Sequence, residues 1–129
     1  KTAYFTDTFT RRIQRVELDD AGWPVGSPEV FVDLRPEGVN PDGSVVDALG
    51  NLWNAQWEAS RVACYAPDGA FLSAVGVPAS QTTCPAFGGA DMKTLFVTSA
   101  AQGVDEAQGG MTFVTELDVM GQCEYQVIL

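Results

Sequence analysis

The sequence predicts an all-β protein built from repeated four-stranded units. Short runs of apolar and β-branched residues alternate with turns rich in Gly, Pro and Asp, and no segment shows a convincing helical period. Strands that carry aromatic residues begin near Tyr4, Leu52 and Leu95, 48 and 43 residues apart. These intervals match a four-stranded propeller blade of roughly 40–50 residues. A β-sandwich with evenly spaced strands is the alternative that this pattern leaves open.

The predicted strands follow the alternation of apolar and polar residues along the chain. They are expected at residues 4–6, 12–18, 29–34, 44–46, 52–56, 61–65, 71–75, 85–87, 94–98, 111–117 and 124–129. Turns separate them, and Pro67-Asp68-Gly69 is the clearest hairpin signal. A long polar loop at 100–110 interrupts this plan, and it is expected to be either functional or a flexible insert.

Pro41-Asp42-Gly43 carries the strongest candidate for chemistry. Pro fixes φ, Asp hydrogen-bonds its own backbone and Gly accepts a positive φ, so the tripeptide predicts a tight turn before the strand at 44–46. Asp42 is then expected at the mouth of a strand, where a carboxylate can bind a cation or take a proton from water. The alternative is an Asx-turn that only shapes the bend. Asp47, at the next turn, is expected to be structural.

Composition excludes several classes of function. The chain has 129 residues, of which 46% are hydrophobic and 19% charged, as expected for a globular protein. Its net charge of -10 argues against a nucleic-acid partner, which needs clustered basic residues. No apolar run is long enough for a membrane span. The absence of His excludes His-based catalysis and His metal ligands.

The three cysteines, Cys64, Cys84 and Cys123, are widely spaced and form no zinc-type pair. An odd number of separated thiols predicts reduced cysteines and a cytoplasmic location. A metal would then need oxygen ligands, which suit calcium, magnesium or manganese and make zinc a less usual choice. Since the residues at Lys1 read as part of a strand, the chain is also expected to be a piece of a longer protein.

Several motifs together resemble the senescence marker protein-30 family, also called the gluconolactonase or regucalcin-like family. They are Pro41-Asp42-Gly43, Val46-Asp47-Ala48, Gly50-Asn51-Leu52-Trp53, Arg61-Val62, Tyr65, Pro67-Asp68-Gly69, Phe87-Gly88-Gly89 and Leu95-Phe96-Val97-Thr98-Ser99. The resemblance covers nearly the whole chain, from Tyr4 to about Val114. It implies a six-bladed β-propeller of which this chain is the C-terminal half, with three blades at residues 1–39, 40–80 and 81–129.

The resemblance also implies a hydrolase acting on sugar lactones. In this family the Asp at the position of Asp42 binds a divalent cation and is a proposed general base. The other expected ligands, a Glu and two Asn, have no counterpart here, so this fragment alone is expected to be inactive. The cation could be calcium, zinc, magnesium or manganese. Trp57, Glu58 and Cys84 are candidate substrate-binding residues, although Trp57 could simply pack between blades.

Two other functions stay open. One is a calcium-binding regulatory protein without turnover, and the other is an inactive propeller fragment that self-associates. Three blades do not close a ring, so their outer faces would expose apolar surface. The expected partners are therefore a sugar lactone and either the missing N-terminal half or a second copy of the chain, with no nucleic acid and no membrane.

Overall fold

Three antiparallel β-sheets follow one another along the chain in the computed structural model, which describes residues 1–124. The first sheet contains β1 (Thr2–Asp7), β2 (Arg12–Leu18) and β3 (Pro24–Asp33). The second contains β4 (Asn40–Val46), β5 (Leu52–Trp57), β6 (Arg61–Tyr65) and β7 (Phe71–Gly76). The third contains β8 (Thr82–Gly88), β9 (Thr94–Ser99) and β10 (Thr112–Glu116). Strands pair in chain order within each sheet, and a 3₁₀ helix, Thr8–Thr10, links β1 to β2.

The two middle strands of the second sheet, β5 and β6, are buried on both faces, whereas its edge strand β7 is largely exposed. Successive residues of a strand point to opposite sides, so Leu52 and Trp53 at the start of β5 enter two different clusters. Leu52 packs with Ile13 and Leu34 of the first sheet region, and Trp53 packs with Leu95 of the third sheet. Three sheets are thus stacked face to face among the described residues, which removes the alternative of a two-layer sandwich for this part of the chain.

The predicted all-β class is confirmed, and several strands lie where the sequence places them. The predicted strands 12–18 and 61–65 have the bounds of β2 and β6. The turn at Pro67-Asp68-Gly69 is also confirmed: Gly69 has a φ of +88°, and Asp68 accepts a hydrogen bond from the Ala70 amide at 3.0 Å. The predicted strand at 29–34 is longer than expected, because β3 already begins at Pro24.

The number of strands per sheet agrees with the prediction only in part. Within residues 1–124 the middle sheet has four strands, whereas the first and third have three each. Tyr4 lies on β1, at the edge of its sheet, whereas its repeat equivalents Leu52 and Leu95 lie on second strands. The strand predicted at 124–129 lies, from residue 125 onward, outside the described residues.

The tight turn predicted at Pro41-Asp42-Gly43 is wrong. The three residues lie inside β4, where the pairing with β5 shifts by one residue between Pro41 and Ser44. Such a shift is a β-bulge, which bends the strand and redirects its side chains. Gly43 does not have a positive φ; a Cβ there would lie 2.8 Å from the Thr83 carbonyl oxygen. The glycine is therefore needed for close approach of β8 and not for a turn.

No helix among the described residues is long and apolar enough to cross a membrane.

Candidate functional site

The bulge in β4 holds Asp42 between two other strands. The Asp42 carbonyl oxygen accepts hydrogen bonds from the Asn54 side chain on β5 at 2.8 Å and from the Thr6 hydroxyl on β1 at 3.3 Å. One residue earlier, the Pro41 carbonyl oxygen accepts from the Thr8 hydroxyl at 3.0 Å. Because residues of both the first and the second sheet regions hydrogen-bond to this backbone, the backbone position of Asp42 is fixed.

Asp42 lines a cavity of about 480 Å³ at one end of the sheets. The other residues that line it are Thr8, Phe9, Arg11, Asn40 and Trp57. They come from the 3₁₀ helix, the residue after it, the first residue of β4 and the last residue of β5. The two aromatic side chains and the one cation give the cavity the mixed lining of a small-molecule site.

The Asp42 carboxylate has no basic side chain within ion-pair distance in the part of the chain that the structure describes. Burial raises its pKa above the ordinary value, and the neighbouring Gly43 amide opposes this shift. A carboxylate that is partly desolvated and not neutralised by a cation is a better base and a ready ligand for a hard metal ion.

Asn54 is a polar residue of this site that the sequence analysis did not identify. It is fully buried, and its Nδ2 donates to the Asp42 carbonyl and, at 2.9 Å, to the Ser44 hydroxyl. Its Oδ1 has no hydrogen-bond partner within residues 1–124. The signal was present in the sequence, since Asn54 interrupts the apolar strand Leu52–Trp57.

The predicted substrate-binding residues fall in different places. Trp57 is half-buried and lines the cavity with Asp42. Cys84 lies beside the bulge and does not line this cavity. Burial and the charges of Asp42 and Glu124 raise the pKa of its thiol, in agreement with the absence of any activating group in the sequence. Glu58 is exposed with a φ of +64° and does not line this cavity.

The long loop at 100–110 is fastened to the turn before β8. The Gln81 side chain donates to the Gln102 carbonyl at 2.8 Å and accepts from the Gln102 amide at 2.7 Å. Glu106 accepts a hydrogen bond from the Ser80 amide at 2.9 Å, and the Ser80 side chain together with this amide lowers the pKa of the Glu106 carboxyl. These contacts favour a fixed insert over a mobile one, and the loop does not line the Asp42 cavity.

Within residues 1–124 no three His, Cys, Asp or Glu side chains come together in a group that could hold a metal ion. Asp42 therefore offers one oxygen ligand, in a setting whose oxygen chemistry fits calcium, magnesium or manganese. A complete coordination shell would need ligands besides those that the described residues provide.

Comparison with known proteins places this arrangement in a family. The profile of the SMP-30/gluconolactonase/LRE-like region matches residues 1–101. A Rhizobium meliloti protein provisionally named sugar lactone lactonase is 44% identical over 95% of this chain and 44% of its own length. A pentonolactonase of Haloferax volcanii is 38% identical over 82% of this chain and 36% of its own length.

A solved structure shares the fold over nearly the whole chain. The calcium-binding protein regucalcin of Agrobacterium tumefaciens superposes with a TM-score of 0.94 at 42% identity, over 99% of this chain and 46% of that protein. The chain thus spans less than half the length of the relatives it matches. The matching profile, the sequence identity and the shared fold agree, and the chain belongs to the SMP-30/gluconolactonase/regucalcin-like family.

Proposed function

We propose that this chain is part of a divalent-cation-dependent sugar-lactone hydrolase, with Asp42 at its reaction centre. The proposal rests on the placement of Asp42. Its carboxylate lines a cavity without a basic partner among the described residues, and its backbone carbonyl accepts hydrogen bonds from residues of two sheets. The names of the lactonase relatives support the reaction class. In this proposal the three sheets are half of a six-bladed ring, and the chain is the C-terminal half.

In the proposed reaction Asp42 acts as the general base. It removes a proton from a water molecule as the water oxygen attacks the lactone carbonyl carbon. The tetrahedral intermediate then breaks the ring C–O bond, and the ring oxygen takes up the proton that Asp42 received. Lactone and water thereby give one hydroxy acid, with Asp42 returned to its starting state. The raised pKa of Asp42 favours this role because a carboxylate with a higher pKa accepts a proton more readily.

The divalent cation is proposed to bind Asp42 through a carboxylate oxygen. Calcium, magnesium and manganese fit an oxygen ligand best, and zinc is a less usual choice. When bound, such a cation stabilises the negative charge that develops on the carbonyl oxygen. Trp57 is proposed to contact the sugar ring, because its half-buried indole lines the same cavity. Cys84 contributes a thiol beside Asp42 and no charge, since the pKa of that thiol is raised.

A calcium-binding regulatory protein is the second candidate function. It is favoured by the same carboxylate and by the calcium-binding regucalcin whose fold this chain shares. The two functions differ in turnover. A protein that binds calcium but leaves a panel of aldono-lactones intact would support the second candidate and contradict the first.

Substitution of Asp42 by Asn tests the proposed role. Asp42→Asn keeps the shape of the side chain and removes the charge, so lactone hydrolysis by the native protein should fall by about 100-fold or more. The matched control is Asp68→Asn in the exposed hairpin turn, which should retain full activity. Circular dichroism checks the fold of both variants. Near-normal turnover by a folded Asp42→Asn protein would remove Asp42 from the mechanism.

The open faces of the outer sheets suggest the partner. Phe5 and Val30 flank Gln14 on one face of the first sheet, and both are substantially exposed. Phe96 and Val114, directly opposite one another in the third sheet, are also exposed. We propose that these faces are covered either by the missing N-terminal half or by a second copy of the chain, which would complete the ring.

A further inference from the structure

Arg11 differs from the other four arginines because it has no acidic side chain within ion-pair distance among residues 1–124. Within residues 1–124, each of the others has a carboxylate within ion-pair distance: Arg12 and Arg35 with Asp33, Arg15 with Glu29, and Arg61 with Glu37. The chain carries 17 acidic and 7 basic residues, so a cation without an acidic neighbour is unexpected. Arg11 is also the arginine that lines the Asp42 cavity.

Three hydrogen bonds fix the position of Arg11. Its amide donates to the Thr8 carbonyl at 3.2 Å, and its carbonyl accepts from the Leu34 amide at 2.9 Å. Its side-chain Nε donates to Asn40 Oδ1 at 2.9 Å. The residue has a φ of +52°, a conformation that costs a non-glycine residue free energy and often marks a functional position. Neither terminal nitrogen of the guanidinium donates to an acceptor among the described residues, so the outer part of the fork is available to a ligand.

The guanidinium and the Asp42 carboxylate line the same cavity without forming an ion pair. The Arg11 side chain is instead anchored by Asn40, the first residue of β4. A ligand whose reacting carbon lies at Asp42 would therefore meet Arg11 with another part of the molecule. Phe9, whose side chain is 98% exposed, lines the same cavity and offers an aromatic surface to such a ligand.

We propose that Arg11 recognises an anionic substituent of the substrate, on a part of the sugar other than the lactone carbonyl. The substrate class would then be sugar lactones that carry a carboxylate, sulfonate or phosphate group. All three present oxygen atoms that a guanidinium fork binds with two parallel hydrogen bonds. This inference rests on the proposed lactone hydrolysis, since it assigns the specificity of that same site.

The test compares a neutral and an anionic lactone in the native protein. The neutral probe is glucono-1,5-lactone, and the anionic probes are its 6-phosphate and glucaro-1,4-lactone, which separate phosphate from carboxylate recognition. Arg11→Gln should lower kcat/KM for at least one anionic lactone by about 10- to 100-fold, the loss expected for a charge-assisted hydrogen bond. It should change kcat/KM for the neutral lactone by less than about threefold. Arg35→Gln removes the same charge from an exposed site outside the cavity and should leave both values unchanged.

A second variant and a binding measurement separate the possible failures. Arg11→Lys keeps the charge and loses the fork, so its kcat/KM for the anionic lactone should lie between wild type and Arg11→Gln. Equal losses on the neutral and anionic lactones would show a structural role and overturn the proposal. If wild type hydrolyses no lactone, the proposed function fails, and calorimetry with 6-phosphogluconate and glucarate decides the inference. Binding of either acid that is weakened in Arg11→Gln would support recognition by Arg11, and equal affinities would overturn it.

Discussion

Asp47 should be the most stabilising single side chain in the turn that joins β4 to β5. Its carboxylate is fully buried and accepts four hydrogen bonds, each of 2.9 Å. The donors are the Leu49 amide, the Asn51 amide, the Asn51 side chain and the Trp53 indole. Each of these four hydrogen bonds uses an N–H group, and none comes from a Lys or Arg side chain.

Substitution of Asp47 by Ala would leave those donors without an acceptor. The hydrogen bond of the Trp53 indole is buried, so leaving its N–H unpaired costs about 1–3 kcal/mol. The other three donors are partly buried and can bond to water instead, so the loss of each of their hydrogen bonds costs about 1 kcal/mol. Because such losses are not additive, the expected decrease in the free energy of unfolding is about 3–4 kcal/mol. Asp68→Ala, which loses one exposed hydrogen bond to the Ala70 amide, should cost about 1 kcal/mol or less.

Urea unfolding followed by far-UV circular dichroism measures both changes. Trp53→Phe in the Asp47→Ala background adds a double-mutant cycle, because removing the indole N–H also removes one of the unpaired donors. The combined variant should therefore lose less than the sum of the single losses, by about 1 kcal/mol. If Asp47→Ala cost no more than Asp68→Ala, the four hydrogen bonds would not stabilise the fold as argued.

Three further predictions follow from packing and charge. Gly43→Ala places a Cβ 2.8 Å from the Thr83 carbonyl and from Cys84 Sγ, so it should destabilise the protein by about 1–3 kcal/mol in the same unfolding assay, whereas Gly76→Ala, with open space around its Cβ, should change little. Burial, together with the Asp47 charge, raises the pKa of the Cys64 thiol from 9.0 to about 11. Because ionisation of this thiol is harder in the folded state, it contributes to stability below pH 9, and this contribution to the free energy of unfolding is lost as the pH rises from about 9 to 11. Cys64→Ala should show a smaller alkaline loss of stability, and an unchanged profile would contradict this. Light scattering of the chain at low micromolar concentration should show association through the open faces of the outer sheets, and a monodisperse folded monomer would argue against it.

Local sequence signals predicted the strands and turns whose structure depends on residues close to one another in the sequence or on adjacent strands. β2 and β6 combine apolar alternation with flanking turn residues, and the predicted bounds are those observed. Asp47 was expected to be structural from its place in the turn, and its buried hydrogen bonds confirm this. In each case the residues that make the contacts are neighbours in sequence or on adjacent strands.

Two strands at sheet edges contain prolines at positions that were predicted to lie outside strands. The strand predicted at 29–34 left out the start of β3, which contains Pro24 and Pro28, and Pro41 belonged to the turn predicted at the start of β4. Both strands lie at the edge of their sheet, as does β8 with Pro85. A strand at a sheet edge has one side without a ladder partner, so the missing N–H of proline costs no hydrogen bond there. Edge position is a property of the whole sheet, and a single strand sequence does not encode it.

The residues of the candidate site were likewise predicted only in part. The resemblance to a family pointed to Asp42, and it gave Trp57 as a candidate for the same site. It did not point to Arg11 or Asn54, whose roles depend on contacts between strands of different sheets or across one sheet. The sequence signal for Asn54 was a polar residue inside a mainly apolar strand, whereas Arg11 precedes β2 and became a candidate only because the fold brings it to the cavity that Asp42 lines.

A bulge in β4 positions Asp42 in place of the predicted turn. A residue in an Asx-turn directs its carboxylate toward its own backbone, and such a carboxylate is already satisfied. In β4 the turn-forming role passes to Asp47, whereas the bulge leaves Asp42 lining the cavity with its backbone held by Asn54 and Thr6. Gly43 makes this possible, because any side chain there would meet the backbone of β8. The sheet contacts therefore provide the rigidity that a turn was expected to provide, and the Asp42 carboxylate lines the cavity without a basic partner among the described residues.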